Sequence, residues 1–279
     1  MSPWPAASTR LLALVGHPVR RSLSPLMHNT VLRELGLDCV YVALEVSPER
    51  AGDVAPAIRT LGLRGANLTV PFKQTVLEHL DALAPSAARA GAVNTIVNEG
   101  GTLVGHNTDG EGLLQHLDAQ GRPPIARAVV LGAGGTGCAV SAALRARGAA
   151  VVLLNRSPAR AEAAARRIAG VEPGPLTPDA FADAAADADL VVHCTAGRGE
   201  AIHRLDPHGF GGHTWVDVNY WAADPPHRGA LQARGVSFHD GRGMLAFQGA
   251  AALSLWTGRP IDGAAMARAL DAHAPRVAP

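Results

Sequence analysis

Short runs of aliphatic and β-branched residues alternate along this chain with longer stretches in which alanine and leucine recur at helical spacing. Leu11–Gly16 reads as a strand, and Pro25–Leu35 as a helix that Ser24 is placed to cap, with Pro25 in its first turn. Val40–Val46 reads as a strand, a helix opens at Ser47-Pro48, and Ala66–Val70 is a strand that Pro71 stops. Ala92–Asn98 and Thr102–Gly105 flank Glu99-Gly100-Gly101, a hairpin turn. A helix is predicted from Asp109 to about Gln120, where Gly121-Arg122-Pro123-Pro124 breaks the chain.

The alternation restarts near Arg127. Ala128–Leu131 and Val151–Leu154 read as strands, Thr136–Arg147 and Pro158–Ile168 as helices. Further strands are predicted at Leu190–Val192, Trp215–Val218 and Val236–Phe238, and two alanine-rich helices at Met244–Trp256 and Asp262–His273. Alternating strands and helices build parallel sheets covered by helices, and the restart predicts two α/β domains.

Composition narrows the picture mainly by exclusion. Hydrophobic residues make up 47% of the 279, enough for a sizeable core, and the net charge of +1 carries no field suited to nucleic acid or an anionic membrane. No apolar run of about 20 residues exists to span a bilayer, and the start, MSPWPAASTR, lacks the pattern of a secretion signal. Cys39, Cys138 and Cys194 are far apart, which suits a reducing cytoplasm and no disulfide framework. His203 and His208 come nearest to a metal cluster, but no ligand spacing surrounds them, so no metal is expected.

The clearest chemical motif follows Val129-Val130-Leu131. Gly132-Ala133-Gly134-Gly135-Thr136-Gly137 has the G-x-G-x-x-G spacing, placed between a strand and a helix, as a dinucleotide site requires. Gly132 allows the tight turn, Gly134 the approach of a pyrophosphate, and Gly137 close packing of helix on strand. The next strand ends in Asn155-Arg156-Ser157, where an NAD site would place an acid for the ribose 2′-hydroxyl. Arg156 stands there instead, with Arg160 one helical turn on, and a guanidinium pair suits a 2′-phosphate and hence NADP. The alternative is a pair of solvated surface arginines.

Only one lysine, Lys73, occurs among the 25 basic residues; the other 24 are arginines. Arginine does not deprotonate in a protein and lysine can, so Lys73 is the first candidate to give and take a proton. Its neighbourhood carries a resemblance. Ser22-Leu23-Ser24-Pro25, Asn67-Leu68-Thr69-Val70-Pro71-Phe72-Lys73, Gly91-Ala92-Val93-Asn94-Thr95 and Asn107-Thr108-Asp109-Gly110 precede the glycine loop in order. Asn155-Arg156-Ser157, Asp217-Val218-Asn219-Tyr220 and Gly243-Met244-Leu245-Ala246-Phe247-Gln248 follow it. From Gly16 to about Gly258 this set resembles shikimate dehydrogenase.

The resemblance implies an NADP-dependent oxidoreductase that interconverts shikimate and 3-dehydroshikimate. It implies an N-terminal α/β substrate domain, 1–109, with a mainly parallel sheet, completed by C-terminal helices in 240–279. A Rossmann dinucleotide-binding domain would occupy 110–239, with substrate in the cleft between the two. Lys73 and Asp109 are then the catalytic pair, and Asp109 can also cap its helix. Ser22 and Ser24 bind the substrate carboxylate, and in an extended segment their hydroxyls would share one side. Thr69, Asn94 and Gln248 contact the substrate hydroxyls, and Asn67 is carried with them, although it could instead satisfy backbone near Pro71. Tyr220 is either a substrate neighbour or a core tyrosine. Cofactor contacts are implied at the glycine loop, at Asn155, Arg156, Ser157 and Arg160, and at Thr195, Gly241 and Met244.

One stretch departs from the family. Where it usually reads Asn-Ala-Thr-Ser near the nicotinamide, this chain reads His193-Cys194-Thr195-Ala196-Gly197. His193 could be a catalytic acid or a hydrogen-bonded loop histidine. The rival readings are a quinate or amino-shikimate dehydrogenase using NAD or NADP, and a non-catalytic sensor of the same ligands. A homodimer is compatible with the chain, but the sequence does not determine the assembly.

Overall fold

The computed structural model describes residues 5–195, 200–221 and 225–274. The start of the chain and Ala196-Gly197 of the departing loop lie outside them. The chain divides into two compact units, one holding the described residues up to Gly112 and from Leu245 on, the other holding Leu113–Met244.

The first unit opens with β1 (Arg10–Gly16), α1 (Ser24–Glu34) and β2 (Cys39–Glu45), then α2 (Val54–Thr60) and β3 (Gly65–Leu68). The short α3 (Phe72–Thr75), β4 (Ala82–Leu83) and α4 (Pro85–Ala90) follow, then β5 (Thr95–Glu99), β6 (Thr102–His106) and the first turn of α5 (Asp109–Ala119), whose remainder belongs to the second unit. The six strands form one sheet in the order β2-β1-β3-β5-β6-β4. Only β5 runs against its neighbours, β3 and β6. It is joined to β6 through a two-residue turn at Gly100-Gly101, both at positive φ, as a tight hairpin demands. The core includes Leu12, Leu14, Met27, Leu32 and Tyr41, packed with Ala250, Leu253, Trp256 and Met266 from the C-terminal end of the chain. Trp256 Nε1 donates to the Ile96 carbonyl at 2.9 Å. Gly65 makes room for that ring, since a Cβ there would lie 2.1 Å from Trp256 Nε1.

The second unit contains β7 (Arg127–Leu131), α6 (Gly135–Ala146), β8 (Ala150–Asn155), α7 (Pro158–Arg167), β9 (Val171–Pro175) and α8 (Pro178–Ala185). It continues through β10 (Leu190–His193), α9 (Glu200–His203), β11 (Thr214–Asp217), α10 (Arg228–Ala233) and β12 (Ser237–His239). The helices α11 (Gly241–Thr257) and α12 (Gly263–His273) close the chain. The order β12-β11-β10-β7-β8-β9 is parallel throughout, and its direction of winding reverses between β7 and β10. Buried on both faces, β7 needs an unbroken apolar run, which Ala128–Leu131 supplies.

The short elements α3, β4, α4, α8, α9 and α10 are absent from the sequence reading, and three further differences have a local cause. Helix α1 starts at Ser24 itself, after Leu23, with no side-chain cap. Helix α5 likewise starts at Asp109, whose N–H donates to Asn107 Oδ1 at 3.0 Å, so Asn107 takes a capping part expected of Asp109. Strand β9 was not predicted, because Val171-Glu172-Pro173-Gly174-Pro175 reads as loop; it lies at a sheet edge, where a proline's missing N–H is tolerated.

Candidate active site

Strand direction gathers the polar residues of the first unit. Strands β1, β3 and β6 all end at one edge of the sheet, and antiparallel β5 begins there. The segments around Ser22, Thr69, Asn94 and Asp109 therefore leave from the same edge, although they lie far apart in sequence.

Lys73 Nζ donates to Asp109 Oδ2 at 2.6 Å, with the carboxylate side chain 5% exposed and the lysine 15%. Asn94 Nδ2 donates to the other oxygen, Oδ1, at 2.7 Å. The same amide contacts Thr108 Oγ1 at 2.9 Å and Gln248 Oε1 at 3.2 Å, while Asn94 Oδ1 accepts from the Thr108 N–H at 2.8 Å. Gln248 is anchored through Nε2 to the Leu245 carbonyl. Gly112 allows this approach, since a Cβ there would lie 2.5 Å from the Gln248 backbone nitrogen.

Asn67 stands behind Asn94. It donates to the Asn94 carbonyl at 3.0 Å and to Thr95 Oγ1 at 2.9 Å, and accepts from Tyr41 Oη at 2.8 Å. Both of its amide protons are thus engaged within the protein. Thr69 is half-buried beyond β3, its methyl filling the space over Gly16. Ser22 and Ser24 do not lie in an extended segment, for one follows a turn and the other opens a helix. Their hydroxyls meet all the same, Ser22 Oγ to Ser24 Oγ at 3.2 Å. Arg20 is exposed and pairs with Glu45.

Tyr41, Thr95, Asn107 and Thr108 join this network without having been assigned a part in it. Thr95, Asn107 and Thr108 lie in motifs already singled out, but Tyr41 sits in an ordinary β-run and carries no local signal. Tyr41 also stacks on His28, with ring centroids 4.1 Å apart, and His28 Nδ1 donates to the Ser24 carbonyl. Burial pushes the His28 pKa from 6.5 down to about 4. Between these values the unfolded chain binds a proton that the folded chain does not, so stability falls on acidification through this window. The loss is at most about 3 kcal/mol. Melting curves from about pH 7 to about pH 4.5 should show a steeper loss for the wild type than for His28→Asn. Equal slopes would remove His28 as the cause.

In the second unit the glycine loop sits between β7 and α6. Gly132 has φ +110°, and its N–H donates to the Leu154 carbonyl at 2.8 Å. A Cβ on Gly137 would lie 1.8 Å from the Gly132 carbonyl oxygen, whereas one on Gly134 would meet nothing within 4 Å. Two glycines thus hold loop and helix together, and the third leaves open space above the α6 N-terminus, with Gly135 and Thr136 half-buried beside it. That opening and the helix N-terminus behind it suit a pyrophosphate.

Asn155 accepts from the Ala133 N–H at 3.0 Å and donates to the Ser157 carbonyl, so it ties the loop to the end of β8. Arg156, Ser157 and Arg160 follow, all exposed. Gly241 opens α11 against the Val218 carbonyl, 1.9 Å from where its Cβ would stand. Met244 is buried in the core of this unit. Tyr220 is half-buried and packs on Trp221.

A loop of this kind serves a dinucleotide, and a buried lysine–carboxylate pair can carry a proton to or from a hydroxyl. Together they mark a dehydrogenase acting on an alcohol and its ketone. Three family profiles match the chain in order: the shikimate dehydrogenase substrate binding domain over residues 14–96, shikimate/quinate 5-dehydrogenase over 118–208, and the shikimate 5′-dehydrogenase C-terminal domain over 241–270. The chain belongs to the shikimate dehydrogenase family. It is 45% identical over 278 residues to a shikimate dehydrogenase (NADP(+)) of Moorella thermoacetica, covering 95% of this chain and 93% of that protein. Shikimate 5-dehydrogenase of Thermus thermophilus, solved with NADP(H) and shikimate, superposes with a TM-score of 0.84 at 39% identity, covering 93% of this chain and 98% of that one. Quinate dehydrogenase of Corynebacterium glutamicum, solved with NAD, superposes with a TM-score of 0.82 at 30% identity, covering 95% and 99%.

Proposed function

We propose that Lys73 and Asp109 handle the proton in the reaction of this family, with substrate held by the first unit and cofactor by the second. The chain is an oxidoreductase that interconverts shikimate and 3-dehydroshikimate with NADP(H). The observation that carries the residue assignment is the 2.6 Å Lys73–Asp109 contact, set among neutral donors at one sheet edge. NADP(H) supplies or accepts the hydride.

In the reducing direction the keto carbon gains hydride and its oxygen must gain a proton, which Lys73 Nζ donates. In the oxidising direction Nζ accepts the hydroxyl proton as the carbonyl forms. Asp109 holds Nζ in place and Asn94 holds Asp109. Asn94, Gln248 and Thr69 pair with the substrate hydroxyls, so that an analogue lacking one leaves a polar group unpaired. Ser22 and Ser24 donate to the carboxylate. Asn67, with its amide protons already engaged, acts through Asn94 rather than on the substrate.

For the cofactor, the open space over Gly134 receives the pyrophosphate, and Arg156 and Arg160 receive the 2′-phosphate. The end of β8 carries Asn155 rather than an acid, which supports NADP over NAD. We place the reaction in the cytoplasm, supported by the free state of Cys39, Cys138 and Cys194. No helix among the described residues is long and apolar enough to cross a membrane.

The test is to follow reduced nicotinamide by absorbance with shikimate or quinate and either cofactor. Shikimate with NADP⁺ should be the best combination, and a preference for NAD⁺ or for quinate would refute the assignment. Arg156→Ala should lower kcat/KM for NADP⁺ about 10- to 100-fold, as expected for one charge-assisted phosphate contact, and leave NAD⁺ nearly unchanged. An equal effect on both cofactors would show that Arg156 does not read the 2′-phosphate.

A further inference from the structure

We propose that His193 and Asp217 are positioning residues that make the Thr195 hydroxyl a one-way hydrogen-bond acceptor for the carboxamide amine of the nicotinamide. The inference rests on the dinucleotide reading of this unit. Strands β10 and β11 end in register on His193 and Asp217, whose side chains are 2% and 3% exposed. His193 Nδ1 lies 3.1 Å from Asp217 Oδ2. A carboxylate only accepts, so in a neutral ring Nδ1 is the nitrogen that carries the proton. The other oxygen, Oδ1, accepts from Asn219 N at 2.9 Å and from Asn219 Nδ2 at 2.8 Å, which anchors the acid. Nε2 is left with a lone pair, 2.5 Å from Thr195 Oγ1. The single proton of the hydroxyl therefore points at His193. Toward any other partner the oxygen can only accept.

Its place in the sheet indicates that partner. Cys194 N–H donates to the Leu131 carbonyl at 2.8 Å, and a Cβ on Gly132 would stand 3.0 Å from Thr195 Cγ2. Thr195 thus lies beside the glycine loop, where β7 and β10 diverge. That reversal is where open α/β sheets bind ligands, beyond the carboxyl ends of their strands. Arg156 and Arg160 follow β8, on one side of the α6 N-terminus; Thr195 follows β10, on the other. A dinucleotide whose 2′-phosphate faces Arg156 sends its nicotinamide half toward Thr195. The hydrogen-bond donor on that ring is the carboxamide amine. A family position usually held by asparagine would then act here through a longer side chain that reaches both the acid and the hydroxyl.

The test titrates the full chain with NADP⁺ and with its 3-acetylpyridine analogue, which carries a methyl ketone in place of the carboxamide and has no N–H to give. The wild type should bind NADP⁺ at least about tenfold more tightly than the analogue. Thr195→Val should bring that ratio to within about twofold, and Thr195→Ser should retain it. His193→Asn keeps a donor for Asp217 but does not reach Thr195, and it should lose the discrimination as Thr195→Val does. A general loss of structure would weaken both ligands alike and leave the ratio unchanged. If His193→Asn does not fold, the two substitutions at half-exposed Thr195 decide. A wild type that fails to bind NADP⁺ overturns the cofactor reading itself. A wild type that binds NADP⁺ without discriminating, or a Thr195→Val variant that discriminates as the wild type does, overturns this inference alone.

Discussion

Lys73→Ala is expected to lower kcat on the order of a thousandfold while the affinity for shikimate changes less than about threefold. The split follows from the site. Substrate affinity is assigned to Ser22, Ser24, Thr69, Asn94 and Gln248, none of which Lys73 holds directly among the contacts described. The proton has no other donor of its kind, since the chain contains no second lysine. Lys73→Arg separates the two parts a lysine can play. Arginine keeps a cation beside Asp109 and can orient a carbonyl, but it does not give up a proton at neutral pH. A variant as slow as Lys73→Ala assigns proton transfer to Nζ, whereas recovery to within about tenfold of wild type would make Lys73 an orienting charge. Steady-state kinetics in both directions, with shikimate affinity measured separately, reads the outcome. Near-normal turnover of Lys73→Ala would end the catalytic assignment.

The second large effect is expected from a single methyl group. Gly137→Ala places a carbon 1.8 Å from the Gly132 carbonyl oxygen, and neither partner is a flexible side-chain end. Helix α6 must move off β7, carrying with it the N–H groups proposed to face the pyrophosphate. A shift of about 1 Å at such a site costs on the order of 100-fold in productive binding. NADP⁺ affinity should fall by that order, with a stability loss of about 1–3 kcal/mol from overpacking. Gly134→Ala is the control. Its Cβ enters open space in the free protein, so stability should be nearly unchanged while NADP⁺ binding weakens, because the methyl occupies room meant for the ligand. Calorimetric melting with an NADP⁺ titration distinguishes the two. Equal melting temperatures for wild type and Gly137→Ala would refute the packing argument.

Much of the architecture was legible because its signals are local. An apolar strand buried on both faces reads as an unbroken run, and the glycines of the loop are required by backbone geometry within a few residues. The hairpin at Gly100-Gly101 was legible for the same reason. Strand β9 was not, because its prolines are compatible with a strand only at a sheet edge, and edge position is a tertiary property. Ser24 and Asp109 could not be separated from capping residues by composition; their neighbours Leu23 and Asn107 hold the flanking positions instead.

By itself the sequence determined the alternating α/β class, the restart that yields a second sheet, the glycine loop between strand and helix, and the candidacy of a lone lysine. These follow from periodicity, backbone sterics and side-chain chemistry, each readable over a few consecutive residues. The tertiary structure alone decided that Asp109 meets Lys73, that Asn67, itself held by a tyrosine no motif contains, supports Asn94, and that His193 lies between an acid and a hydroxyl. Those contacts join residues brought together by strand order and register, and a hydrogen bond a few ångströms long leaves no trace in the spacing of a linear chain.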